Sequence, residues 1–273
     1  MKKILDWEKK AVVNIFDEVT LWSAPFGRLL LDNIPMFPKA TIVDLGFGTG
    51  FPLIELSQRF GKHAKIYGID IWKEGIHRTK EKIKTLELEN IQLLEASATT
   101  IDIENEQVDL VTSNLGVNNF DQREKVYLEI NRILKKGGRL CLTTNPIGTF
   151  KELFYLFDLI LKELHLKEAQ KDLASYVQHR NTAQGIIAEL NAYGFQLVTQ
   201  QSDSTIMRFV DAEALLNHSL MRIGFRASWE ALVQAKDQEE FFKRLRLKIN
   251  RIIATKGEFS MSIPMLYLEF EKK

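Results

Sequence analysis

The sequence predicts an α/β fold, doubly wound, with a mostly parallel seven-stranded sheet and helical cap insertions. Two local observations carry this. Between residues 40 and 145, short apolar runs rich in β-branched residues alternate with stretches of helical length, the pattern of βαβ units. The first apolar run also ends in Asp44-Leu45-Gly46-Phe47-Gly48-Thr49-Gly50, a glycine-rich turn into a helix. Composition agrees: of 273 residues, 45% are hydrophobic and 27% charged, which is ordinary globular usage.

The elements follow in order. Residues 4–34 carry helical periodicity, with Ala11, Ile15 and Val19 four apart and Leu29, Leu30 and Leu31 after a break at Ala24-Pro25. Residues 40–45 form a buried strand, and a helix starts near Pro52, whose missing N–H costs nothing in a first turn. Strands are predicted at 65–70, 91–95, 108–113 and 139–144, with helices at 73–86 and 123–134 and a stop at Gly137-Gly138. Further on, helices are expected at 150–165, 172–179 and 182–193, then a strand at 195–201, mostly helix over 203–256, and a last strand at 259–270. No linker rich in Ser or Gly interrupts the chain. It is therefore read as one domain, 1–273: an N-terminal helical cap at 1–38, a core at 39–145, and 146–273 completing the sheet with helical insertions at about 150–180 and 203–256.

Charge and cysteine content exclude other classes. Thirty-seven Lys and Arg stand against 36 Asp and Glu, a net charge of +1, which argues against an electrostatic nucleic-acid binder. So apolar a chain is not intrinsically disordered. One cysteine, Cys141, excludes an intramolecular disulfide framework and a thiolate zinc cluster. The start MKKILDWEKK lacks the apolar core of a signal peptide, and no stretch is long and apolar enough to span a membrane, so a cytoplasmic location is expected.

The glycine loop is the informative segment. Glycines stand where a backbone turns with positive φ or approaches a ligand closely. A dinucleotide fingerprint needs a third small residue, but the corresponding position is Phe51, and Pro52 then removes an N–H donor. A dehydrogenase is thereby disfavoured. No Gly-Lys-Ser/Thr follows for a Walker-type phosphate site.

The string Asp44-x-Gly46-x-Gly48-x-Gly50 resembles motif I of the class I S-adenosylmethionine-dependent methyltransferases, which have a Rossmann-like fold. The resemblance covers residues 40–145 and implies S-adenosyl-L-methionine as cofactor. By that resemblance, the loop of Gly46, Phe47, Gly48 and Gly50 curls around the methionine portion, with Asp44 near its amino group. Asp70, 20 residues past Gly50, would take the ribose hydroxyls, and Ile71 would lie against the adenine. A carboxylate suits a vicinal diol because it only accepts hydrogen bonds. The family often carries an acid after its third strand. Here the string is Ala96-Ser97-Ala98, so Ser97 and Ala98 would stand at the adenine. Asn114 and Leu115, after the fourth strand, would face the transferable methyl. The helix with RILKKGGRL before the fifth strand is also typical of the family.

Methyl transfer from a sulfonium needs alignment and a dry pocket more than a protein nucleophile. The five histidines, at 63, 77, 165, 179 and 218, form no i,i+4 metal pair, and no catalytic metal is expected. Tyr176, His179 and Arg180 are spaced to share a helix face, making His179 and Tyr176 candidate bases, with plain surface residues as the alternative. Trp22 and Phe26 are a candidate lid over the sulfonium or simply core, and Phe150, Phe154, Tyr155 and Phe157 an apolar wall or core. The run 241–256, with six basic residues and no acid, reads as a packed helix with a solvated basic face that an acidic partner could use. Asn145-Pro146 resembles an element of nucleic-acid amino methyltransferases but follows the fifth strand rather than the fourth. The expected function is methyl transfer to a small-molecule acceptor. Alternatives are a nucleic-acid or protein methyltransferase, or a cofactor-binding interaction protein without turnover. Fold and cofactor do not determine the acceptor.

Overall fold

A computed structural model describes residues 2–6, 8–17 and 20–273. The sheet has seven strands: β1 (Thr41–Leu45), β2 (Lys65–Asp70), β3 (Ile91–Glu95), β4 (Val108–Asn114), β5 (Leu134–Thr144), β6 (Phe195–Phe209) and β7 (Phe259–Lys272). Their order is β3-β2-β1-β4-β5-β7-β6. The pairings among β1 to β5 are parallel, and β7 runs antiparallel to β5. The chain begins at the centre of the sheet, winds out through β2 and β3, then returns to β4, which is the doubly wound topology.

The chain forms two compact units. One comprises 8–144, 182–203 and 265–273; the other comprises 1–7, 145–181 and 204–264. In the first, successive side chains of each central strand go to opposite faces, and both faces are covered. Ile42, Leu110, Cys141 and Tyr267 pack with helices α2 (Thr20–Asn33), α3 (Leu53–Phe60) and α4 (Lys73–Thr85). Val43, Val111, Leu140 and Leu142 pack with α5 (Arg123–Ile133) and α8 (Ala183–Ala192). Both faces being buried explains why these strands read as continuous apolar runs.

The other unit holds α9 (Ala212–Asn217) and is built on aromatic rings on and beside α6 (Lys151–Glu163), α10 (Arg226–Ala231) and α11 (Ala235–Lys256). Phe157 meets Trp229 and Phe241 edge-on at 5.8 and 5.0 Å, and Phe150 meets Phe225 at 5.0 Å. Arg226 is buried here, donating to Glu230 at 2.8 Å and standing over the Phe242 ring at 4.8 Å. Phe150, Phe154 and Phe157 are therefore core, whereas Tyr155 is 63% exposed. On α11, Arg244 and Lys248 pair with Glu163, and Arg246 with Glu213. Three of the six basic residues of the run are thus held in ion pairs within the unit.

Several boundaries differ from expectation. The first helix, α1 (Lys10–Phe16), buries Val12 and Val13 while Ala11 and Ile15 are exposed; Val19 lies outside the described residues. Helix α2 runs through Pro25 without a break, since proline there removes only one backbone hydrogen bond near the helix start. Gly137-Gly138 does not end an element. β5 starts at Leu134, and its ladder to β4 steps from Val108–Leu134 to Leu110–Arg139, with Gly137 at φ +77° absorbing the extra residues. Residues 203–209, expected to be helical, continue β6. Helix α7 (Lys167–Gln178) starts five residues earlier than expected.

Gly68, in β2, shows how tightly the first unit is filled. A Cβ there would meet Leu53, Leu93 and Phe47 at 2.7 to 2.9 Å. Gly68→Ala should therefore cost about 1–3 kcal/mol, seen as a melting temperature lower by several degrees. An unchanged melting curve would contradict this packing.

Candidate functional site

The glycine loop extends from β1, and its conformation is enforced from three sides. Gly46 N–H donates to the Ile69 carbonyl at 2.8 Å, continuing the β1–β2 ladder. Gly46, Gly48 and Gly50 then take φ of +74°, +57° and +107°. Asp70 fixes the middle: one carboxylate oxygen accepts Gly48 N–H and the other Trp72 N–H, each at 2.8 Å. Helix α4 holds the far side. Thr79 Oγ1 shares its hydrogen between the Gly75 carbonyl of its own helix at 3.0 Å and the Gly48 carbonyl at 3.2 Å, and Lys82 Nζ donates to the Thr49 carbonyl at 2.8 Å. Lys82 also donates to Asp17, as does Arg78; burial would raise the Asp17 pKa, but these hydrogen bonds hold it below the usual carboxylate value.

Asp44 lies beneath this loop, fully buried. Its Oδ1 accepts the Thr112 hydroxyl at 2.8 Å, while Oδ2 is buried with no hydrogen-bond partner. Burial pushes its pKa up to about 7; the Thr112 bond opposes that rise and the charge of Asp70 adds to it. A buried carboxylate oxygen left without a donor is costly and uncommon. It is also a vacant acceptor for an ammonium or N–H group from a ligand.

The other expected residues divide. Ile71 follows Asp70 and is 70% exposed, a bare apolar surface at the end of β2. Ser97 is exposed, and its Oγ is engaged by the Thr99 N–H and hydroxyl; Ala98 packs on the core. The Phe47 ring is buried below the loop, so only its backbone remains for a ligand. Asn114 is also spent internally: its amide donates to the Ser23 carbonyl at 3.2 Å and accepts the Thr143 hydroxyl at 2.7 Å. Leu115 takes φ +65° and starts the 3-10 turn Gly116–Asn119. Gly116 then approaches Gly46 so closely that a Cβ on Gly46 would lie 3.2 Å from the Gly116 Cα. Phe26 is core, with the Trp22 ring 5.7 Å from it.

Tyr176, His179 and Arg180 belong to the other unit. Helix α7 ends at Gln178, His179 caps it and is exposed, and Tyr176 lies against Arg180, Ser228 and Trp229. The three thus do not form one cluster.

Residues not anticipated are Thr79, Lys82, Thr112, Gly75 and Gly116. Gly75 alone left a trace in the sequence, as a glycine inside a helix, where it costs stability. A Cβ there would come within 2.8 Å of the Gly48 carbonyl oxygen.

A methyltransferase-domain family matches residues 37–265. The demethylmenaquinone methyltransferase of Lactococcus lactis is 30% identical over 56% of this chain and 60% of its own. The arsenite methyltransferase of Halobacterium salinarum is 29% identical over 40% of this chain and 28% of its own. A SAM-dependent methyltransferase from Aquifex aeolicus shares the fold, with a TM-score of 0.55 at 17% identity over 70% of this chain and 91% of that one. The match to the first of these relatives thus spans about three fifths of its length. These findings define a Rossmann-like methyltransferase fold. The chain belongs to the methyltransferase-domain family, the class I S-adenosylmethionine-dependent group that its glycine loop resembles.

The three loop glycines are not equivalent. Gly48 has a left-handed φ that other residues tolerate and nothing within 4 Å of a Cβ, whereas Gly50 lies outside that region and a Cβ would meet Ile54 at 2.9 Å. Gly50→Ala should lower the melting temperature clearly more than Gly48→Ala. Equal losses in parallel thermal melts would refute this account of the loop.

Proposed function

We propose that the chain is an S-adenosylmethionine-dependent methyltransferase acting on a small organic acceptor. The observation that carries this reading is the vacant, fully buried Asp44 Oδ2 beneath a loop of three positive-φ glycines. A buried acceptor needing a cationic donor, beside backbone with no side chains in the way, fits the amino-acid end of this cofactor. Asp70 would take the ribose hydroxyls with the lone pairs left after accepting two N–H groups, and Ile71 would cover the adenine. Ser97 and Ala98 would border the adenine edge. Leu115 would stand near the methyl, with Asn114 holding that loop in place through Ser23 and Thr143.

The cofactor supplies an electrophilic methyl on a sulfonium, whose charge vanishes on transfer. The protein's share is alignment and exclusion of water. The hydrogen bonds from Thr79 and Lys82 support that share by fixing the loop in advance of binding. No base is assigned to His179, which is exposed.

An organic acceptor is favoured over a soft inorganic one. Arsenic is thiophilic, and the only thiol of this chain, Cys141, is buried, with its pKa raised chiefly by that burial. Among the described residues, no helix is long and apolar enough to cross a membrane.

Calorimetry with S-adenosylmethionine, its demethylated product and NADH tests the reading. The first two should bind; binding of NADH alone would overturn it. The pH dependence is specific. Below about pH 7, Asp44 is protonated and must release that proton to receive an ammonium group, so cofactor affinity should fall by up to about tenfold per pH unit. Above pH 7 it should level off. Asp44→Asn should bind more weakly at pH 8 and with a flat pH profile; a wild-type profile unchanged between pH 5.5 and 8 would remove Asp44 from the site.

A further inference from the structure

Helix α1 ends in a carboxylate aimed at helix α4. Asp17 caps the C-terminal end of α1, and its side chain is 20% exposed. Its two oxygens serve different cations. Oδ2 accepts from Arg78 Nε at 2.8 Å, and Oδ1 accepts from Lys82 Nζ at 2.6 Å. Arg78 is itself held by Glu81, three residues further along α4, at 3.1 Å. The apolar side of α1 is met separately: Val12 and Val13 are buried, and α1 packs on α4. Docking of this helix therefore has an apolar contact and an ion pair that do not involve Lys82.

Lys82 has a second partner. The same ammonium donates to the Thr49 carbonyl at 2.8 Å, so Asp17, Lys82 and Thr49 form a hydrogen-bonded chain from α1 into the glycine loop. A lysine side chain gives up much rotamer freedom when it is fixed, and its ammonium gives up strong hydration. One neutral carbonyl offsets little of that; a carboxylate on the other side, through a charge-assisted bond, offsets more. The Lys82 side chain is 27% exposed, so solvent screens the pair less than it would on an open surface. The other hold that α4 has on the loop is the neutral Thr79 hydroxyl, whose hydrogen is shared with Gly75. The charged link is the firmer of the two, and Asp17 is what fixes it.

We infer that Asp17 is a positioning residue for the cofactor loop: acting through Lys82 on the Thr49 carbonyl, it couples the docking of α1 to the loop conformation that receives the cofactor. That the ligand of the loop is S-adenosylmethionine rests on the methyltransferase reading; the ordering of the loop by Asp17 does not. Such coupling is reciprocal. Whatever docked α1 adds to cofactor affinity, bound cofactor adds to the docking of α1.

Hydrogen exchange and calorimetry on the full chain test this. In the wild type, saturating S-adenosylmethionine should slow exchange of the Val12 and Val13 amides, which donate to the Lys9 carbonyl at the start of α1, by about fivefold. An ion pair that only stabilised the fold would not produce that response. Asp17→Asn should weaken cofactor binding by the same factor, remove the slowing in α1, and speed exchange at Gly48 and Gly50 in the free protein. Asp17→Glu, which keeps the charge, should recover part of the affinity. Lys82→Met should also weaken binding, and the variant carrying both Asp17→Asn and Lys82→Met should fall well short of the product of the two losses. Unchanged α1 exchange in the saturated wild type, which needs no variant to fold, would overturn the inference. So would unchanged affinity in folded Asp17→Asn, or losses that multiply in the double variant. If the wild type binds no S-adenosylmethionine, the methyltransferase reading falls and exchange in the free protein decides for Asp17. Faster exchange at Gly48 and Gly50 in Asp17→Asn would then sustain its role in ordering the loop, and unchanged exchange would overturn it.

Discussion

The carboxylate of Asp70 is the joint on which the candidate cofactor site depends. It receives Gly48 N–H from the glycine loop and Trp72 N–H from the start of the next helical connection, so one side chain ties the ends of β1 and β2 together. Backbone N–H groups left unpaired in a partly buried turn would each carry a desolvation cost. Asp70 meets that cost for two of them and keeps a negative group at the crevice. The loop carbonyls are met by Thr79 and Lys82, three residues apart on α4 and so on one helix face. Loop, strand end and helix thus form one hydrogen-bonded piece.

That piece also explains why Asp44 is tolerated. A carboxylate with no exposure and one vacant oxygen would be expensive if ionised, and its raised pKa is the protein's response. Thr112 gives it a single donor from across the β1–β4 ladder, where Asp44 and Thr112 are register partners. Destabilisation of this kind fits a ligand site better than a purely structural one. An apolar side chain would pack the same space without penalty.

What was legible in the sequence was local. β1, β2 and β4 were plain because strands buried on both faces read as unbroken apolar runs, and the loop was plain because its glycines and acids lie at short fixed spacings. The later part of β6 was not. Gln201-Ser202-Asp203-Ser204-Thr205 is polar throughout because it lies on the edge strand and is largely exposed, so no alternation marks it. Gly137-Gly138 resembles a stop in the sequence because a bulge and a turn need the same residue. Thr112 was invisible because its role depends on cross-strand register.

The division of the chain has a consequence for how such a protein can be altered. The unit formed by 1–7, 145–181 and 204–264 is not one contiguous insert: it comprises three stretches, and the chain passes between units within β6, at 203–204, and within β7, at 264–265. Grafting this unit from one relative onto another would require exchanging all three stretches together, with two of the junctions inside strands. Single substitutions within that unit are the more accessible route, since they leave every junction and the whole hydrogen-bonded loop untouched.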